Sequence, residues 1–283
     1  MKNIAIIPNI HKDAELFVTK NLVEKLLYFG AEVFVEAKFA KHLSQSVVSY
    51  DTFPEDAELI IVVGGDGSIL DASVIAIERN IPILGVNLGK VGYLSEVEPD
   101  NLDILSGIFF GNYSIEEKML LSVNHVSDKV VHKSKRLAVN DVIISHDTFL
   151  GIADFVLENS VGDCLKYRAD GLILSTPAGS TAYSLSAGGP IVSHDIDSIV
   201  ATPICPHSFF NRSIIFKPDE ELSVTNNGGD ILNVTVDGRF FTKLLPGGVC
   251  KVRMAKKRFK MVTFNDNNMV QTLFEKMKRF EKI

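Results

Sequence analysis

Only three cysteines occur in the 283 residues, Cys164, Cys205 and Cys250, odd in number, far apart and without any Cys-x-x-Cys spacing. That pattern indicates neither a disulfide framework nor a zinc site, and it implies a reducing cytoplasm. Equally missing is the run Gly-x-x-x-x-Gly-Lys-Ser/Thr, which rules out an ordinary P-loop. The amino terminus offers one lysine and then only Ile4 to Ile7 before Pro8, too short an apolar region for a signal peptide. Residues 171–193 carry no charge, yet they are full of Gly, Ser, Thr and Pro and do not read as a membrane span. There is no surplus of positive charge either: 29 Lys and Arg stand against 35 Asp and Glu, a formal net charge of -6. No partnership with nucleic acid or with an anionic membrane is expected from that balance. The basic cluster Lys251, Arg253, Lys256, Lys257, Arg258 and Lys260 reads as a solvated strand pair.

What the chain does have is 46% hydrophobic residues and enough length for two domains, each with its own core. Its most informative stretch is Leu59-Ile-Ile-Val-Val-Gly-Gly-Asp-Gly-Ser68, an uncharged, β-branched run that ends in three glycines around one carboxylate. The apolar residues predict a buried strand, and the spacing of Ile69, Leu70, Ala72, Ser73, Ile75 and Ala76 predicts a helix opening at Ser68. Gly64, Gly65 and Gly67 can adopt positive φ and let an anionic ligand reach the N–H groups that open the helix. A carboxylate beside a phosphate needs a further reason, so Asp66 is a candidate general base or metal partner in phosphoryl transfer to a hydroxyl. A turn in which Asp66 only caps the helix explains the same four residues, and both readings stay open on this loop alone.

Strands at Asn3–Ile7, Val33–Glu36 and Ile83–Val86 alternate with helical spacing, which predicts a parallel sheet with ligands at the carboxyl ends of its strands. The loop Asn87-Leu-Gly-Lys-Val-Gly-Tyr-Leu94 lies at such an end, with Tyr93 as a packing or stacking face. From about residue 113 the periodicity changes. Ser114–Val126, Lys135–Ser145, Ala153–Glu158, Cys164–Arg168, Ser213–Phe216, Leu222–Thr225, Leu232–Val236, Val249–Met254 and Phe259–Phe264 read as strands separated by turn signals such as Asn226–Gly229, Asp237-Gly238 and Pro246–Gly248. The expectation is therefore α/β plus all-β: a Rossmann-like parallel domain over 1–110 and a β-sandwich over 111–265. Helical spacing at Val270, Leu273, Phe274 and Met277 makes 266–283 a terminal helix returning to the first domain.

A second constellation runs from Tyr167 to Pro190, Tyr-Arg-Ala-Asp-Gly-Leu-Ile-Leu-Ser-Thr-Pro-Ala-Gly-Ser-Thr-Ala-Tyr-Ser-Leu-Ser-Ala-Gly-Gly-Pro. Small hydroxyl residues after a strand, entering a short helix near Ser180, offer hydroxyls and N–H groups to a polar, nucleoside-sized ligand.

With this stretch in view the whole chain resembles the NAD kinase family. Gly64-Gly-Asp-Gly67, the loop Asn87–Leu94, Asn140-Asp141 and Asp170–Pro190 match the family's motifs in order. Gly-Gly-Asp-Gly is shared with lipid kinases and 6-phosphofructokinases, whereas Ser-Thr-Pro-x-Gly-Ser-Thr-Ala-Tyr is specific. The resemblance implies transfer of the γ-phosphoryl group of ATP to the 2′-hydroxyl on the adenosine ribose of NAD, with a divalent metal such as Mg2+. It implies Asp66 as base, Gly64, Gly65 and Gly67 facing nucleotide phosphates, and Asn140 and Asp141 contacting adenine or ribose. Thr181, Ala182, Tyr183 and Ser186 would form the adenine pocket, Asp170 would contact the nicotinamide end, and Tyr93, Arg168 and Ala178 join the candidate binding residues. A homodimer or homotetramer is implied too, with Thr202–Ser208 near the subunit contact. Two residues depart from the family pattern: Asp141 stands where Glu is usual, and Ala178 replaces a common hydroxyl residue, a loss of roughly 0.5–1.5 kcal/mol if one hydrogen bond to adenine goes with it. The rival expectations are a lipid kinase and an NAD(H) or NADP(H) sensor that transfers nothing. His207 reads as a packed or interface histidine, Asp71 as a solvated helix residue and Asp237-Gly238 as a hairpin turn.

Overall fold

The computed structural model describes residues 1–43, 46–89, 92–126, 135–146, 151–207 and 210–264. In chain order the first elements are β1 (Asn3–Pro8), α1 (Phe17–Tyr28), β2 (Glu32–Glu36), α2 (Ala37–Ala40), β3 (Val48–Tyr50), β4 (Leu59–Gly64), α3 (Asp66–Arg79), β5 (Ile83–Asn87), α4 (Ser106–Phe110) and β6 (Ser114–Lys118). Strands then dominate: β7 (Leu121–Val126), β8 (Lys135–Ala138), β9 (Asp141–His146), β10 (Ala153–Glu158), β11 (Cys164–Ala169) and β12 (Gly171–Ser175). A single turn of helix, α5 (Tyr183–Ser186), precedes β13 (Ile199–Ile204), β14 (Ile214–Phe216), β15 (Leu222–Asn226), β16 (Leu232–Val236), β17 (Arg239–Leu244), β18 (Val249–Met254) and β19 (Phe259–Thr263). Two compact units result, Met1–Glu117 with Phe259–Ile283, and Lys118–Arg258.

The first unit is built on a seven-stranded sheet in the order β3-β2-β1-β4-β5-β19-β6. The pairs from β3 through β19 are parallel. All six residues of β4 are buried, as the uncharged run requires for a strand covered on both faces. The chain moves from β1 out to β2 and β3, then returns to add β4 and β5 on the other side. The carboxyl ends of β1 and β4 thus flank a topological switch point, where open α/β sheets take their ligands.

The second unit is a sandwich of two six-stranded antiparallel sheets, β11-β10-β15-β18-β7-β8 and β14-β13-β12-β9-β16-β17. One core joins their inner faces, with Val123, Phe155, Leu157, Val224 and Val252 from the first sheet and Val142, Ile144, Leu172, Leu174 and Val234 from the second. Alternating burial along β10, β15 and β16 follows from the two-residue period of a strand.

Several expected boundaries move. Ser114–Val126 is two strands, since β6 belongs to the first unit's sheet and β7 to the sandwich. Phe259–Thr263 was expected in the sandwich but lies beside β5, Met261 opposite Ile83. The units therefore divide at Glu117/Lys118 and Arg258/Phe259 instead of 110/111 and 265/266. Lys135–Ser145 breaks at Val139-Asn140, its halves entering different sheets. The basic cluster is not one strand pair, because Lys251 and Arg253 sit on β18 and Lys260 on β19. Local periodicity identifies a strand without revealing which sheet it joins. The terminal helix expected over 266–283 lies outside the described residues.

Candidate functional site

The glycine turn after β4 differs from its expected form in two ways. Helix α3 opens at Asp66, two residues earlier than the periodicity indicated, with extended Gly65 (φ -116°, ψ -174°) as its N-cap. None of Gly64, Gly65 and Gly67 has positive φ. Glycine is required at Gly64 for space, whereas at Gly65 the near atom is the movable end of a lysine. A Cβ on Gly64 would lie 2.5 Å from Ser68 Oγ, and one on Gly65 would lie 2.4 Å from Lys12 Nζ.

Asp66 does not cap its own helix. Its carboxylate accepts the backbone N–H of Tyr93 at 2.9 Å and of Leu94 at 3.0 Å, so it holds the second glycine loop against the first. Both oxygens are fixed in direction, and each keeps a lone pair for a hydroxyl. Tyr93 packs beside it, half-buried, its phenol pKa raised by burial and then by the Asp66 charge. Gly92 supplies the positive φ of 67° that this loop needs, and a Cβ there would meet the Asn87 amide at 2.7 Å. Asn87 itself accepts the Gly89 N–H at 2.9 Å. Asp71 is exposed on α3.

Two further residues arrive from the loop after β1. Asn9 donates its amide to Ser68 Oγ at 2.7 Å, and Lys12 places its ammonium over Gly65. Sequence reasoning applied the carboxyl-end rule to β4 and β5 only; applying it to β1 would have singled out Asn9–Asp13.

In the second unit the centre is Asp237. It occupies the two-residue turn between β16 and β17 as expected, with φ 48° followed by Gly238 at 74°. Beyond turning the chain, its carboxylate accepts the N–H groups of Val139 (2.8 Å), Asn140 (2.8 Å) and Asp141 (3.1 Å). This long-range clamp was missed, because a hairpin turn accounts for Asp-Gly locally. The Asn140 carbonyl accepts the Thr176 N–H at 2.9 Å, and a Cβ on Gly179 would approach that oxygen to 2.0 Å. Asp141 is 5% exposed, and among the described residues nothing donates a hydrogen bond to its carboxylate. Burial, and secondarily the Asp237 charge, push its pKa up to about 7. Burial raises Asp237 as well, opposed by its three N–H donors.

The hydroxyl-rich stretch folds as a tight turn over Ala178–Thr181 followed by α5. Most of its hydroxyls are taken up internally, contrary to the expectation that they face a ligand. Thr176 Oγ1 donates to the Val139 carbonyl at 2.6 Å, Ser180 Oγ to Pro177 at 2.6 Å and Thr181 Oγ1 to Ala178 at 3.0 Å, while Ser184 and Thr202 pair at 3.0 Å. Ala178 is buried, and Ala182 is half-buried between the two turns. What remains outward is the Tyr183 ring, 45% exposed, and the Ser186 hydroxyl, which has no partner among the described residues.

Arg168, Asp170 and His207 come together at the far end of β11. The Arg168 carbonyl accepts the His207 N–H at 2.7 Å, and His207 Nε2 lies 4.0 Å from Asp170 Oδ1, an ion pair only when the imidazole is protonated. His207 is thus exposed beside a candidate ligand residue, not packed in this chain.

Among the described residues no group of three or more His, Cys, Asp or Glu is arranged to hold a metal ion. An ion at the glycine loops would have Asp66 as its protein carboxylate, with phosphate and water completing the shell. Mg2+ accepts that donor set readily. No helix among the described residues is long and apolar enough to cross a membrane.

Residues 4–112 match the ATP-NAD kinase N-terminal domain and residues 139–264 the ATP-NAD kinase C-terminal domain. The chain is 34% identical to the NAD kinase of Geotalea daltonii over 286 residues, covering 100% of both chains. It is 37% identical to that of Natranaerobius thermophilus over 285 residues, 98% of each. Among solved structures, yeast NADH kinase complexed with NADH superposes with a TM-score of 0.85 at 23% identity, over 98% of this chain and 88% of that one. An NAD kinase from Archaeoglobus fulgidus in complex with ATP gives 0.72 at 22% identity, over 98% and 99%. At these identities the two structures speak for the fold.

Proposed function

The chain belongs to the NAD kinase family, and from that premise we propose that it transfers the γ-phosphoryl group of ATP to the 2′-hydroxyl on the adenosine ribose of NAD, giving NADP and ADP. The observation that carries this reading is the Asp66 carboxylate, aimed by the N–H groups of Tyr93 and Leu94 within a glycine turn. A binding module gains little from a carboxylate beside phosphate, whereas a kinase needs one to orient a hydroxyl and take its proton.

The ribose 2′-oxygen attacks the γ-phosphorus, the bond to the β,γ-bridging oxygen breaks, and the hydroxyl proton passes to Asp66. A hydroxyl keeps its proton until late, so Asp66 acts chiefly by orientation. Gly64, Gly65 and Gly67 leave the backbone bare toward the phosphates, and N–H groups there offset charge on the transferred group. A divalent cation, Mg2+ in this reading, would be held by Asp66, phosphate oxygens and water and would neutralise the same charge.

On the sandwich, Tyr183 stacks on adenine, Thr181, Ala182 and Ser186 frame it, and Asn140 and Asp141 take adenine or ribose groups. The absence of a protein donor to the Asp141 carboxylate, among the described residues, supports a ligand hydroxyl as its partner. The Asp237 carboxylate holds the backbone of Asp141 through its N–H. Asp170, with Arg168 and His207 beside it, receives the nicotinamide end. Ala178 is buried and contributes shape, with no hydrogen bond to adenine. Family membership supports a homodimer or homotetramer, and three free cysteines, two of them exposed, suit a reducing cytoplasm. Purified protein given ATP, Mg2+ and NAD should yield NADP and ADP in equal amounts by ion-exchange chromatography. NAD binding without either product would make the chain a sensor instead.

A further inference from the structure

We propose that Lys12 is the cation of the donor subsite, binding the polyphosphate of ATP over the Gly65 and Gly89 backbones; this adds a residue to the kinase reading and rests on it. The glycine turn after β4 contains no lysine, and transfer of a phosphoryl group calls for fixed positive charge on the donor. The fold supplies one from another loop. Lys12 follows β1, Gly65 follows β4, and these strands are neighbours at the switch point of the sheet.

A Cβ built on Gly65 would lie 2.4 Å from Lys12 Nζ and one built on Gly89 3.8 Å from it. The ammonium therefore borders both glycine loops at once, with the Asn87 side-chain oxygen also beside Gly89. It is not neutralised there, since among the described residues no carboxylate lies within 4.0 Å of it. The adjacent Asp13 is turned inward, 3% exposed, its oxygens accepting the Val18 N–H, the Thr19 N–H and the Thr19 hydroxyl.

The loop that carries Lys12 is also held in place. The N–H groups of Lys12 and Asp13 bond to the Asn9 carbonyl at 3.0 and 2.8 Å, Asn9 N–H bonds to Val63, and the Asn9 amide ties the loop to Ser68. An exposed lysine on a braced loop, lacking an acidic partner and lying against bare backbone, has the properties of a point-charge phosphate ligand.

The test is steady-state kinetics of wild type, Lys12→Met and Lys12→Arg with ATP and NAD varied separately, and inorganic tripolyphosphate as a competitor of ATP. Loss of one charge-assisted contact should raise KM for ATP and the inhibition constant of tripolyphosphate about ten- to hundredfold in Lys12→Met. KM for NAD should stay within about twofold, and Lys12→Arg should recover most of the loss. Lys20→Met, an exposed helix residue of the same charge, should match wild type in all three values. An unchanged KM for ATP in Lys12→Met, or an equal rise in KM for NAD, overturns the assignment. A wild type that makes no NADP overturns the kinase reading, and the donor subsite with it.

Discussion

Asp141→Asn isolates the one buried carboxylate that the fold leaves without a protein hydrogen-bond donor among the described residues. In the folded chain its pKa is about 7, raised by burial and then by Asp237, against 3.8 as the ordinary value. The folded state therefore binds a proton more tightly than the unfolded one. The stability this contributes is fully present below about pH 4 and is lost as pH rises through about 7. Between pH 5 and pH 8 the loss amounts to about 2–3 kcal/mol, at 1.36 kcal/mol per pKa unit. An amide of the same shape does not titrate, so that slope should vanish in the variant. Thermal melts of both at pH 5, 6, 7 and 8 should show the variant gaining on wild type with rising pH, by a midpoint difference on the order of 5 °C across the range. Parallel profiles would refute the buried, donor-free carboxyl.

Two other substitutions address the sandwich. Gly179→Ala places a methyl 2.0 Å from the Asn140 carbonyl, which the Thr176 N–H holds; the overlap should cost about 1–3 kcal/mol or more in melts and raise KM for NAD, and an unchanged midpoint would show that the turn yields. Tyr183→Ala removes an exposed ring from the surface of α5, so KM for NAD should rise roughly tenfold, from a stacking contribution of about 1–3 kcal/mol, while the melting midpoint stays put. A fall in midpoint with KM unchanged would make the ring a packing residue.

The strand Leu59–Gly64 was legible because a run of β-branched residues between turn signals has few other folds available. The alternation of strands with helices gave the parallel sheet for the same reason. The purpose of the glycines was not legible: positive φ was the local explanation, but Gly64 answers to Ser68 and to Asn9, and Asn9 lies more than fifty residues away in sequence. Asp237 is similar, since an Asp-Gly turn says nothing of three N–H donors nearly a hundred residues back. The hydroxyl stretch misled in the opposite direction. Tight, buried turns need internal acceptors and donors for their backbone, so most of those hydroxyls serve the fold and only Tyr183 and Ser186 remain outward.

Asp66→Asn tests the central claim most directly. The amide keeps the size of the side chain and one acceptor for the Tyr93 and Leu94 loop, but it cannot accept the hydroxyl proton. Turnover of NAD to NADP should fall by about a hundredfold or more, in line with the loss of a general base, while the dissociation constant for NAD, measured by calorimetry without ATP, stays within about threefold. A near-normal rate in Asp66→Asn would remove this carboxylate from the reaction.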